Sequence, residues 1–207
     1  MTGPLTDLRS NLIAMAEVQD LPGWEAFAAN IRITQVTTKH IFIRQGDLNA
    51  DLHFVLKGLV KLSYETPQGA ALTKSIIAEG AIFASLSSFE GRPTTFSVTT
   101  LEASTIASIP YTTLLNLMAK HHAWERIARK VFASLATKKE QREFELLTMS
   151  PQQRWINFKT ENPDLLKRIT QIEIAGLIGI TPVALSRIKA RLRKSRLQTS
   201  SFASYAA

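Results

Sequence analysis

The sequence predicts an α+β chain in which an antiparallel β-domain is followed by one long helix and then by a small helical module. Three observations carry this. Short β-branched runs punctuated by glycine fill residues 31 to 109, the apolar period changes from two to three and four beyond Pro110, and the positive charge is gathered at the C-terminal end. The boundaries expected from these changes are 1–119 for the β-domain, 120–149 for the helix and 150–207 for the module.

The β-runs come in order as Ile31-Arg32-Ile33, Ile41-Phe42-Ile43, Leu52 to Leu56, Leu59 to Tyr64, Ala71 to Ile77 and Thr94 to Thr100. Gly46, Gly58, Gly69 and Gly80 fall between them. Short strands at this spacing, with turn residues between, indicate a sandwich or barrel.

From Leu114 onward the apolar residues Trp124, Ile127, Ala128, Val131, Phe132 and Leu135 recur at helical steps, with no Gly or Pro before Pro151. The stripe of Ile127, Val131 and Leu135 needs a cover, because apolar area left in water costs roughly 25 cal/mol per Å². Two covers are open to it: a second copy of the chain, making a dimer seam, or the helix's own domain.

Three helix starts then follow closely. Ser150-Pro151-Gln152-Gln153 offers an N-cap, a proline at the first helical position and a capping-box glutamine; Thr170 with Glu173 repeats the device, and Thr181-Pro182 repeats it without the acid. The stretch from Gln171 to Ala190 has what a helix-turn-helix requires: small Ala175 at the crossing, Gly179 in the turn, and Ile174, Ile178, Ile180, Leu185 and Ile188 facing inward. In its second helix Thr181, Pro182, Val183, Ser186, Arg187 and Lys189 are left to face a groove, with Arg191 close behind. Arg187 suits bidentate reading of a guanine edge, Pro182 and Val183 can offer only apolar contact, and the hydroxyls of Thr181 and Ser186, with Lys189 and Arg191, suit phosphates.

Charge agrees with this placement. Residues 1–150 hold 15 Lys and Arg against 14 Asp and Glu, whereas residues 151–207 hold 10 against 3, a net of +7. A small module so basic has the electrostatic footprint of a polyanion binder. The absence of cysteine excludes disulfides, thiolate metal sites and a cysteine nucleophile. No Walker loop, dinucleotide fingerprint, zincin motif or nucleophile elbow occurs, and His40, His53, His121 and His122 lack an obvious nucleophile, so neither catalytic residues nor a metal nor a cofactor is expected. With no leader-like segment and no long apolar run, no membrane partner and a cytoplasmic location are expected.

Particular segments go further: Ile43-Arg44-Gln45-Gly46-Asp47, Phe54 to Val60, Ile77 to Phe83, and Gly179-Ile180-Thr181-Pro182 through Ser186-Arg187-Ile188. In these the chain resembles the Crp/Fnr family of bacterial transcription regulators, from about Ile31 to Leu192. The resemblance implies a cyclic-nucleotide-binding-like jelly roll as sensor, a dimerisation helix and sequence-specific DNA binding. The implied partners are double-stranded DNA, a second copy of the chain, RNA polymerase and a small-molecule effector that the sequence does not identify.

The departures are equally specific. Where cyclic-AMP-binding members present a glutamate for the ribose and an Arg-Ser pair for the phosphate, this chain has Ser85-Leu86 and Thr94-Thr95, with Arg92 two residues away and followed by Pro93. These five (Ser85, Leu86, Arg92, Thr94, Thr95) are the candidate effector pocket, and dependence on cyclic AMP is not expected. The cysteines of the oxygen-sensing branch are missing, and His121-His122 at a helix start suits a solvated or capping role better than a haem ligand. The tail from Gln198 is expected to be wingless and frayed. A competing reading keeps the β-domain as a nucleotide- or protein-binding regulatory unit and gives the C-terminal module protein contacts instead of DNA.

Overall fold

The structure, a computed structural model, describes residues 3–205. Its first compact unit holds residues 1–139 and its second residues 140–207. The division falls inside the long helix rather than at the expected 149/150 junction, since the helix's polar second half packs with the C-terminal module.

Two short helices open the first unit, α1 (Pro4–Ala16) and α2 (Trp24–Ala29). They were not anticipated, although Pro4 at the first turn and the three- and four-residue spacing of Leu5, Leu8 and Leu12 encode α1. Then come β1 (Arg32–Val36), β2 (Ile41–Ile43), β3 (Asp51–Lys57), β4 (Leu59–Glu65), β5 (Ala71–Ala78), β6 (Ile82–Phe83), the single turn α3 (Leu86–Phe89), β7 (Ser97–Thr100) and β8 (Ser104–Pro110). They pair antiparallel into two four-stranded sheets, ordered β1-β8-β3-β6 and β2-β7-β4-β5. This is the expected jelly-roll-like arrangement.

The run from Thr94 is shorter as a strand than its β-branching suggests. Thr94 is paired with the Gly46–Asp47 turn instead, donating its N–H to the Asp47 carbonyl and accepting from Gly46 N–H, so regular pairing begins only at Ser97. Gly58, between β3 and β4, has φ +94°, and a Cβ there would lie 2.8 Å from the Ala103 carbonyl oxygen. That close approach explains why the turn needs glycine.

Inside the sandwich, Val36, Ile43, Val55, Val60, Leu62, Phe83, Phe96, Val98 and Ile106 make an apolar core. A second cluster joins Leu8, Leu12 and Phe27 of the opening helices to Phe54, Ile109 and the start of the long helix. The predicted long helix is two helices, α4 (Tyr111–Met118) and α5 (His122–Thr148).

The second unit contains the end of α5, α6 (Pro151–Glu161), a 3-10 turn at Leu165–Lys167, α7 (Gln171–Leu177) and α8 (Pro182–Tyr205). Both capping boxes form, at Ser150 with Gln153 and at Thr170 with Glu173. Trp155, Ile174, Ala175, Ile178, Leu185 and Ile188 form its core. α8 continues as one helix to Tyr205, so the tail forms no hairpin and is helical where fraying was expected. Ala206 and Ala207 lie outside the described residues.

Candidate functional site

The five candidate effector residues divide between interior and surface. Ser85 stands at the N-cap position of α3 without a side-chain capping bond and is buried, its hydroxyl 3.1 Å from that of Ser87. Thr94 is buried and donates to the Phe96 carbonyl at 3.3 Å. Leu86 and Thr95 are exposed, and so is Arg92, whose guanidinium is ion-paired with Glu90. The buried polar side chains of the described residues are one histidine and serine or threonine hydroxyls; none is Arg or Lys. An anion placed in this interior would meet no fully buried cation, and burying an unpaired charge costs several kcal/mol or more; half-buried Lys74, its ammonium 4.9 Å from the centre of the core Phe96 ring, is a cation that approaches it. Ser88, two-thirds of the way along α3, was not singled out in the sequence; its hydroxyl is buried with no hydrogen-bond partner. The Ser-Ser pair was visible, but its burial was not.

His53 is the buried titratable group of this unit. It stacks on Phe83 with ring centres 4.8 Å apart, its Nδ1 lies 2.8 Å from the Ser108 hydroxyl and its Nε2 lies 2.9 Å from Asn49 Oδ1. Because Asn49 Oδ1 can only accept, Nε2 carries the proton and Nδ1 accepts from Ser108. Burial first, and the positive charge of Arg32 second, push its pKa down to about 4, so the ring is neutral near pH 7.

The α5 stripe is only partly free. Ile127, expected in a dimer seam, is buried at 4% exposure in the unit's own core with Trp124, Phe27 and Leu12. The reason is tertiary: α1 and α2, more than 90 residues earlier in the chain, supply the cover. Val131 packs at the edge of the same core, and Leu135 is half-buried. Phe132 and Leu135 share with Leu86, Phe89 and Tyr111 a wholly apolar crevice of about 30 Å³.

In the second unit α7 and α8 meet at 96°, with fully buried Ala175 near their crossing and Gly179 at φ +70° between them. Thr181 caps α8 by accepting the Ala184 N–H at 3.2 Å, so its hydroxyl oxygen already has a partner within the fold. Pro182, Val183, Ser186 and Arg187 are exposed along one face of α8, beside Arg191, which donates to Gln152 Oε1 at 2.8 Å. Lys189 is half-buried, its ammonium 5.4 Å from the centre of the Trp155 ring. A step of two residues turns a side chain by roughly 200° around a helix, so Lys189 lies across α8 from Arg187, on the edge that it shares with Pro182 and Ser186, seven and three residues earlier.

Two arginines whose role the sequence did not reveal hold this unit together. Arg154 donates from Nε to the Ile178 carbonyl at 2.8 Å and from its terminal nitrogen to the Met149 carbonyl at 2.9 Å, and Arg142 donates to the Leu177 carbonyl. They satisfy carbonyls that the ends of α5 (Met149) and α7 (Leu177, Ile178) leave without helical partners. Part of the module's positive charge is thus structural.

Comparison with known proteins adds to this geometry. Residues 33–121 match the family Cyclic nucleotide-binding domain. Among solved structures, the c-di-GMP-responsive global regulator CLP of Xanthomonas campestris superposes with a TM-score of 0.69 at 18% identity, over 84% of this chain and 92% of that one. FixK2 of Bradyrhizobium japonicum gives 0.66 at 14% identity, over 80% and 85%. The catabolite activator protein of Thermus thermophilus gives 0.54 at 19% identity, over 89% and 87%. No curated protein matches the sequence. These likenesses establish a shared fold. No single helix among the described residues is long and apolar enough to cross a membrane.

Proposed function

We propose that the chain is a homodimeric, sequence-specific DNA-binding transcription regulator of the Crp/Fnr type that does not depend on cyclic AMP. The observation that carries it is the α7–α8 pair. Two helices at 96°, with a small residue near the crossing and a left-handed glycine in the turn, form a helix-turn-helix, and its second helix turns Val183, Ser186 and Arg187 outward. Arg187 reads a base edge, Pro182 and Val183 offer apolar contact, and Thr181, Ser186, Lys189 and Arg191 lie where phosphate contacts set the register.

The dimer reading rests on Val131, Phe132 and Leu135, which leave apolar area on α5 for a second copy to cover, with Ile127 holding the helix to its own domain. A cyclic-nucleotide-binding fold without a buried cation supports a sensor that takes another effector or none. RNA polymerase follows as a partner of a regulator that binds promoter DNA.

The test is selection from randomised duplexes at two salt concentrations. The expected product is an inverted repeat with half-site centres about 34 Å apart. Arg187→Ala should relax one base position per half-site at a cost of about 1–3 kcal/mol, while Arg191→Ala should weaken all sequences alike. Selection that returns no motif from the unmodified protein would instead favour protein contacts for the module. For the sensor, calorimetric titration with cyclic AMP should show no binding at micromolar concentration, and binding there would overturn that part.

A further inference from the structure

α8 has a second surface whose apolar floor the DNA reading leaves unused. Between α8 and the middle of α6 lies a groove of about 500 Å³, a size that suits a bound side chain or short segment. Its floor is apolar: Trp155 and Leu192, with Ile156 exposed at 43%. Its rim is cationic, with Lys159, Lys189 and Arg193 and no carboxylate among the lining residues. The exposed Arg187 lines a different depression, with Ser150, Gln152 and Arg191 at the start of α6. The two surfaces flank α8 on either side of the inward-facing Ile188 and Leu192.

We infer that the α6–α8 groove is a docking site for an acidic segment of a partner protein that inserts an apolar side chain against Trp155 and Ile156 while its carboxylates meet Lys159, Lys189 and Arg193. Charge complementarity selects the acid, and the floor selects the apolar anchor. A phosphate backbone would answer the rim alone and would leave Ile156 in water, so nucleic acid fits worse. A second copy of this module fits worse still, because residues 151–207 carry 3 carboxylates against 10 cations. Lys189 is poised for the role: its ammonium over the Trp155 ring keeps one cation at the junction of floor and rim. The site goes beyond DNA recognition, since it supplies a contact that the face of Arg187 does not.

The test uses the full chain and three fluorescein-labelled synthetic peptides: one of Asp and Glu interspersed with Leu and Trp, one with Ser in place of the apolar residues, and one with Lys in place of the acids. The acidic–apolar peptide should bind at least about tenfold tighter than either control, a difference of about 1.4 kcal/mol. Ile156→Ser and Lys159→Glu, both at exposed positions, should each weaken it several-fold with thermal unfolding unchanged, and Arg187→Ala should leave it unchanged. A random-sequence duplex, titrated in parallel, should be indifferent to Ile156→Ser. Equal binding of the acidic–apolar and acidic–Ser peptides overturns the inference, as does a duplex that is weakened by Ile156→Ser and displaces the peptide. Loss of duplex binding to the unmodified chain would strike the DNA reading and leave the groove standing.

Discussion

The two compact units use polar groups in opposite ways. In the first, buried hydroxyls and the buried imidazole have partners inside the fold, several of them far away in the chain: His53 with Ser108, Thr100 donating to the Thr37 carbonyl, and Ser104 accepting from the Leu59 N–H. In the second, the core is a small apolar cluster and the polar chemistry is on the surface, where cations line two flanks of one helix. A buried hydroxyl with a partner inside the fold does not recognise an incoming anion, whereas an exposed guanidinium can, because water gives way to phosphate or carboxylate at little cost. Substitutions in the first unit should therefore register mainly as stability, and those in the second mainly as binding.

The largest expected effect is at Trp124, which is buried at 1% exposure, lies 4.6 Å ring to ring from Phe27 and donates its indole N–H to the Pro22 carbonyl at 2.7 Å. Trp124→Ala should cost about 3–5 kcal/mol in urea unfolding. A loss below about 1 kcal/mol would mean that the opening helices do not close this core, and the contrast between units would lose its footing.

Next comes His53. Its pKa is pushed down to about 4 in the folded protein, below the unfolded value of 6.5, so the unfolded chain binds more protons between these limits. Its contribution to stability is complete above pH 6.5 and is lost as pH falls toward 4, by about 3 kcal/mol in total. Urea titrations across this range should show the slope, and His53→Gln should flatten it. An unchanged slope in the variant would place the titration elsewhere.

A smaller effect compares the units directly through their strained glycines. Gly58→Ala drives a Cβ to 2.8 Å from the fixed backbone oxygen of Ala103, while Gly179→Ala meets, at 2.8 Å, the end of the Leu146 side chain, which can swing aside. Both have positive φ. Gly58→Ala should cost about 2 kcal/mol or more, and Gly179→Ala about 1 kcal/mol. The reverse order would show the α7–α8 turn to be the more rigid of the two. Smallest is Ser150→Ala, which removes a capping box at about 1 kcal/mol and should leave sequence preference on DNA untouched.

The sequence by itself determined the features that depend on near neighbours in the chain. Both capping boxes, the left-handed glycine between α7 and α8, the inward set of Ile174, Ile178, Leu185 and Ile188, the positions of most strands and the concentration of charge are all legible there, because each rests on hydrogen bonds or periodicity within a few residues. Only the tertiary structure decided which face of each element would be covered. The helices α1 and α2 bury Ile127 that periodicity alone could have left to a partner, Thr94 turns inward while Thr95 turns out, the Trp155 ring takes the Lys189 ammonium over its face, and Arg154 is occupied by the Ile178 carbonyl after α7 and the Met149 carbonyl after α5. Each of these outcomes joins residues distant in sequence, and no local pattern specifies which side chain a long-range contact will bring against them.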